Sequence, residues 1–206
     1  MQTFVFLWAP ALRTYAASAS AGTWGLENNG EPAYGLIFGS FMAFGVAGGF
    51  LEPTVRKSIN SLLPFTKRLA NKEGEVDPIS VHSLCIMCYS ISALVLITPC
   101  ILPEDNANSF TLCFTAFLVY ELMIGLYMPC EGVVRSIYMP NESICSLMTM
   151  LRVIVNVAVA AGVISTNFIP FTYAFGVLAT MMVASACIQM SLLLEHKRKE
   201  SEKKLM

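Results

Sequence analysis

Charge is scarce in this chain. Only 13% of its 206 residues are Asp, Glu, Lys or Arg, and it has two histidines. A soluble domain carries about 25% charged residues, so a water-facing surface cannot be covered from this stock. The shortage excludes a soluble globular enzyme, a disordered chain and a nucleic-acid binder. Catalytic signatures are missing too: the sequence has no G-x-S-x-G, no H-E-x-x-H and no phosphate-cradling glycine loop ahead of a strand. An intramembrane enzyme would need a nucleophile and base, or a metal-ligand set, at depth. None is found, so no catalytic residue, cofactor or metal is expected. The seven cysteines are an odd number in or beside apolar runs, which argues against a disulfide framework. Cys85 and Cys88 have C-x-x-C spacing but no second pair, and read as small hydrophobes inside a membrane helix.

What the chain has is apolar length. It is 55% hydrophobic, with a mean hydropathy of +0.62. A bilayer core needs about 20 mostly apolar residues per helix. Five runs meet this, at roughly 34–51, 81–102, 110–129, 147–168 and 171–194. A sixth, within 2–17, is short and reads as a truncated span, with a signal-peptide core as the alternative. The first full run holds Gly35-x-x-x-Gly39 and Gly45-x-x-x-Gly49, spacings that let helices pack closely in lipid.

The connections set an orientation. Segment 52–79, Arg135 and the tail 195–206 together carry eleven of the thirteen basic residues, whereas only Arg13 falls on the other side. By the positive-inside rule the basic side is cytoplasmic. This predicts six helices with both termini inside, a cytoplasmic loop over 52–79 and a basic cytoplasmic tail. Val55, Ile59, Leu62 and Leu63 recur at helical spacing and predict a short interfacial helix within the loop. The sequon Asn141-Glu142-Ser143 falls on the cytoplasmic side and should stay unmodified.

A charge at the centre of a membrane helix costs about 2.5–3.5 kcal/mol, so one kept there needs a partner or a cavity. Glu121 lies roughly 16 Å into its span at 1.5 Å per residue. Arg152 enters the next span from the basic side, with Asn156 one turn further on the same face. Arg152 and Asn156 are candidates to hold an anion. Glu121 is a coupling or ion-pair residue, and the alternative for both charges is a structural lock between neighbouring helices. Glu131 and Arg135, at the basic end of their helix, are candidates for a cytoplasmic gate. Arg13 could steer anions at the outer mouth or anchor the membrane edge. Glu121-x-x-x-Gly125-x-x-x-Pro129 places an acid, a small residue and a helix bender on one face.

Phe4 through Leu12, Gly35-Leu36-Ile37-Phe38, Glu121 through Pro129, Arg135, Pro140-Asn141-Glu142 and Leu151-Arg152-Val153 together resemble segments of the molybdate-anion transporters of the major facilitator superfamily. Phe4-Val5-Phe6-Leu7-Trp8-Ala9-Pro10-Ala11-Leu12 is similar to the end of their seventh helix, with Ala9 where the family usually has threonine. Gly35-Leu36-Ile37-Phe38 resembles the start of the eighth, and Glu121-Leu122 through Gly125-Leu126-Tyr127-Met128-Pro129 the tenth. Arg135, Pro140-Asn141-Glu142 and Leu151-Arg152-Val153 continue the pattern. The resemblance implies an all-α membrane protein: a six-helix bundle like the C-terminal half of such a transporter, which has about twelve helices. It also implies transport of molybdate or a similar oxyanion in the plasma membrane, with the lipid bilayer and a second six-helix half, or another helical bundle, as partners. The chain is then expected to be a fragment or truncated form. The alternative is a non-transporting multi-pass protein, either a sensor or an assembly partner, that docks on another bundle.

Overall fold

The computed structural model describes residues 2–20, 22–62, 78–139, 142–165, 168 and 170–205. Leu63, Pro64, Lys67, Arg68, Lys72, Gly74 and the sequon's Asn141 lie outside them. Among the described residues regular structure is all helical: α1 (Gln2–Ala16), α2 (Tyr34–Leu62), α3 (Pro78–Leu96), the single turn α4 (Thr98–Ile101), α5 (Ser109–Tyr138), α6 (Ile144–Ser165) and α7 (Phe171–Leu205). Among the described residues, five helical stretches are long and apolar enough to cross a membrane, with α3 and α4 together forming one of them. The chain is an all-α, multi-pass membrane bundle.

Contacts between helices bring the last turns of α2 and α5, the first turns of α3 and the later part of α7 to one end, where Arg56 and Arg135 lie. The opposite end is tied by polar contacts between turns: the Tyr15 hydroxyl of α1 donates to the Pro99 carbonyl of α4 (2.9 Å), and the Cys100 thiol to the Thr172 carbonyl of α7 (3.1 Å). The α1–α2 connection at that end folds on itself. Glu27 N–H donates to the Glu31 carbonyl (2.8 Å) and Gly30 N–H to the Glu27 carbonyl (2.9 Å). Gly30 takes a φ of +80° to close this turn, a conformation that side-chain-bearing residues rarely adopt.

α5 is the central helix, flanked by α2 on one side and α3 on another, with α7 packed against α3. The core at their meeting is aromatic. Phe4 of α1 meets Phe117 of α5 edge-on at 5.1 Å and Tyr120 at 4.6 Å, and Phe117 stacks on Phe175 of α7 at 5.4 Å. Such pairs add about 0.5–1.5 kcal/mol each beyond area burial. Their value is greater in lipid, where van der Waals fit drives helix association. α1 is part of this core: Phe4, Leu7, Leu12 and Tyr15 are essentially inaccessible. At 15 residues it spans only about 22 Å, less than the hydrocarbon thickness.

Two boundaries differ from the sequence expectation. α2 does not stop near Leu51 but runs unbroken past Pro53 to Leu62, so Val55 and Ile59 belong to its last turns rather than to a separate interfacial helix. Both side chains pack against the core, and the Glu52–Arg56 pair (2.9 Å) bridges the turn that Pro53 weakens. α7 likewise carries its helix through the basic segment to Leu205.

Candidate functional site

The crossing of α2 and α5 positions the deepest charge. Gly45 and Gly48 of α2 meet Gly125 of α5 backbone to backbone. A Cβ at Gly48 would strike the Leu122 carbonyl oxygen, and one at Gly125 the Gly45 carbonyl oxygen. The second glycine motif therefore sits in a helix contact, as small residues in membranes commonly do. The first does not: nothing lies within 4 Å of a Cβ placed on Gly35 or Gly39. Glu121 is one turn before Gly125 and only 4% exposed. Its Oε2 lies 3.9 Å from where a Gly45 Cβ would be, so the carboxylate lies against α2 at that glycine. Beside it Tyr120 is fully buried, and its hydroxyl has no hydrogen-bond partner among the described residues.

A second polar group braces the basic end across α2, α3 and α5. The Tyr89 hydroxyl of α3 donates to Glu131 Oε1 (2.5 Å), and Arg135 donates to the other oxygen, Oε2 (2.6 Å). Next to Glu131, the Cys130 thiol donates to Glu52 Oε1 of α2 (3.4 Å), which also accepts from Arg56 (2.9 Å). Glu131 and Arg135 are thus paired within one helix, one turn apart, and Tyr89 ties that pair to α3. Sequence reasoning missed Glu52 and Tyr89. The i,i+4 spacing of Glu52 and Arg56 was a visible signal, but Tyr89 carried none.

The same end holds a third contact that went unforeseen. His82 is fully buried on α3. With Nδ1 protonated, it donates to Gln189 Oε1 of α7 (2.7 Å), and its Nε2 accepts from the Tyr138 hydroxyl of α5 (3.3 Å). A buried polar group needs such partners, and these join three helices. Cys85 and Cys88 are buried free thiols one and two turns further along α3. Among the described residues, no three His, Cys, Asp or Glu side chains are placed to hold a metal ion.

Arg152 and Asn156 sit apart from these groups. Both are exposed on α6, which packs chiefly on α1, with Gly162 close to Thr3. Among the described residues no ion pair joins Arg152 to Glu121. The structure therefore brings Glu52, Tyr89, Glu131 and Arg135 together, encloses Glu121 against the glycines of α2, and leaves Arg152 and Asn156 on an open helix face. Chemically, these are hydrogen-bond donors and protonatable acids lining helix contacts. Arg152 and Asn156 supply the guanidinium and amide donors that oxyanions take.

No family model matches the chain, and no solved structure matches it. One curated protein similar to it is the molybdate-anion transporter of Xenopus tropicalis, 26% identical over 162 residues. That match covers 78% of this chain but 28% of the relative, so the chain spans well under half the length of the transporter it resembles.

Proposed function

We propose that this chain forms one helical bundle of a membrane transporter for molybdate or a similar tetrahedral oxyanion. The carrying observation is the similarity over 162 residues to a protein named as a molybdate-anion transporter, together with its all-helical multi-pass architecture. In this reading Arg152 and Asn156 contact the anion. Their exposure on α6 suits a site completed by a second helical bundle, because an arginine left facing lipid at depth would cost about 2.5–3.5 kcal/mol. Transport would proceed by rocking the two bundles about that shared site. Glu121, enclosed where α2 and α5 touch, is the coupling or pairing residue. Glu131 and Arg135 form the gate on the cytoplasmic side, anchored by Tyr89. The basic end faces the cytoplasm by the positive-inside rule, with both termini there, and the host is the plasma membrane.

The test is uptake of labelled molybdate by cells that lack their own molybdate uptake and express the source gene's product. Arg152→Ala and Asn156→Ala should lower uptake at least tenfold at equal membrane abundance. Absence of uptake by the unaltered protein would sink the transport reading. Normal uptake by both variants would sink the site assignment alone. A second reading, a non-transporting assembly partner, draws on the uncovered Gly35 and Gly39 of α2. Self-association in bilayers without oxyanion binding would favour it.

A further inference from the structure

At the end opposite the basic one, α1 and the start of α2 flank an open surface groove of about 430 Å³, lined by Ala9, Pro10, Arg13, Thr14 and Tyr34. Sites for small ligands run from about 300 to 1,000 Å³. Two donors line it. Arg13 is largely exposed and spends one N–H on a long contact, 3.3 Å, to Glu31 Oε1. A guanidinium has five N–H groups in a fork that fits an oxyanion, so most of its donor capacity is free. Tyr34 brings a phenol from the first residue of α2, with its ring 6.1 Å from Trp8. Thr14 adds nothing to this set, because its hydroxyl already donates to the Pro10 carbonyl (3.2 Å). Ala9 and Pro10 make the remaining wall apolar.

The guanidinium's present partner is itself an oxyanion group. Glu31 sits on the closed turn after α1, positioned by its N–H to Asn29 Oδ1 (2.9 Å) and by the Glu27–Glu31 backbone bond. We infer that Arg13 and Tyr34 form an oxyanion-binding subsite in which the Glu31 carboxylate stands in for the ligand until one arrives. The ligand is a tetrahedral oxyanion, either free or carried as a lipid headgroup phosphate. Both side chains of the pair are largely exposed and such pairs add little, so an incoming anion displaces Glu31 readily. The displacement also releases the turn from α1. If the transport reading holds, this is an outer loading position; the binding itself does not depend on that reading.

The experiment uses the full chain in nanodiscs of phosphatidylcholine at constant ionic strength. The Trp24→Phe background leaves Trp8, next to Tyr34, as the fluorescent reporter. Molybdate and sulfate are titrated in. Saturable binding is expected, weakened at least tenfold in Arg13→Gln, weakened less in Arg13→Lys and a few-fold in Tyr34→Phe. Glu31→Gln should tighten it up to about fivefold, a sign that loss of a merely structural pair would not produce. Lys57→Gln, an exposed cation near the far end of α2, should titrate as the unaltered chain does, which separates this groove from general surface charge. In phosphatidylglycerol nanodiscs, an Arg13-dependent change in Trp8 emission that blocks the free anion would support the site with lipid phosphate as its occupant. The inference is overturned if Arg13→Gln titrates like the unaltered chain, or if neither anion nor anionic lipid gives an Arg13-dependent signal. A failed uptake assay with intact titration would overturn only the transport reading.

Discussion

The α2–α5 crossing makes the sharpest prediction. In Gly125→Ala the new Cβ would fall 2.9 Å from the Gly45 carbonyl carbon and 3.0 Å from Gly48 Cα, and closer still to the Gly45 carbonyl oxygen. All three are backbone atoms, so no side chain can swing away. Carbon atoms rest at about 3.5–4.0 Å, so the helices must separate by roughly 0.5–1 Å. A gap of that size forfeits a quarter to a half of each contact's attraction, along the most extensive helix contact in the bundle. Over-packing of this kind costs about 1–3 kcal/mol. Alanine's better helix propensity offsets up to about 1 kcal/mol of that. Gly35→Ala is the matched control: its Cβ meets nothing within 4 Å, so it should be neutral or stabilising by as much as about 1 kcal/mol. The assay is reversible unfolding in mixed micelles by added SDS, read by helicity. Gly125→Ala should unfold at lower SDS and Gly35→Ala at equal or higher. Equal midpoints for Gly125→Ala and Gly35→Ala would refute the close crossing.

Two other outcomes follow from the basic end. Tyr89→Phe removes the hydroxyl that donates to Glu131 Oε1, leaving that half-buried carboxylate with Arg135. A hydrogen bond to a charged group is worth about 1.5–3 kcal/mol, and the same SDS titration should show a loss near the lower figure. No change would mean that Tyr89 does not brace α3 to α5. Cys145, an exposed thiol in the first turn of α6, reports orientation. With the basic end in the cytoplasm, a membrane-impermeant maleimide should label it only after cells are opened, and the Asn141 sequon should show no mobility shift on glycosidase treatment. Labelling of Cys145 in intact cells, with Cys100 and Cys187 replaced by Ser, would reverse the orientation.

Much of the architecture was legible because burial in lipid is written as length and polarity. An unbroken apolar run of the right size can only be a helix there, since every backbone polar group must be satisfied within the segment. The runs at 34–51 and 110–129 therefore announced α2 and α5, although they understated both helices. The continuation of α2 was masked by Pro53 and by the onset of charge at Glu52 and Arg56, which read as a loop boundary. Packing of Val55 and Ile59, together with the Glu52–Arg56 pair, carries the helix through that boundary.

The candidate site was less legible. Glu121 stood out as a charge at depth, yet nothing in its spacing showed that it would lie opposite Gly45 rather than opposite Arg152. Nothing in the sequence showed that His82 would be enclosed between Gln189 and Tyr138. Gln189, 107 positions away in the chain, gave no signal at all, because one amide in an apolar helix looks alike whichever way it faces.

By itself the sequence determined that the chain is a bundle of membrane helices, which end of it is basic, and which polar residues lie at depth. These follow from composition and run length, which need no knowledge of neighbours. Only the tertiary structure decided which of those polar groups meet. Helix rotation and register in lipid are set by close van der Waals fit rather than by a hydrophobic face. Here that fit is the contact of Gly45 and Gly48 with Gly125, which brings Glu121 against α2 and leaves Arg152 on the open face of α6.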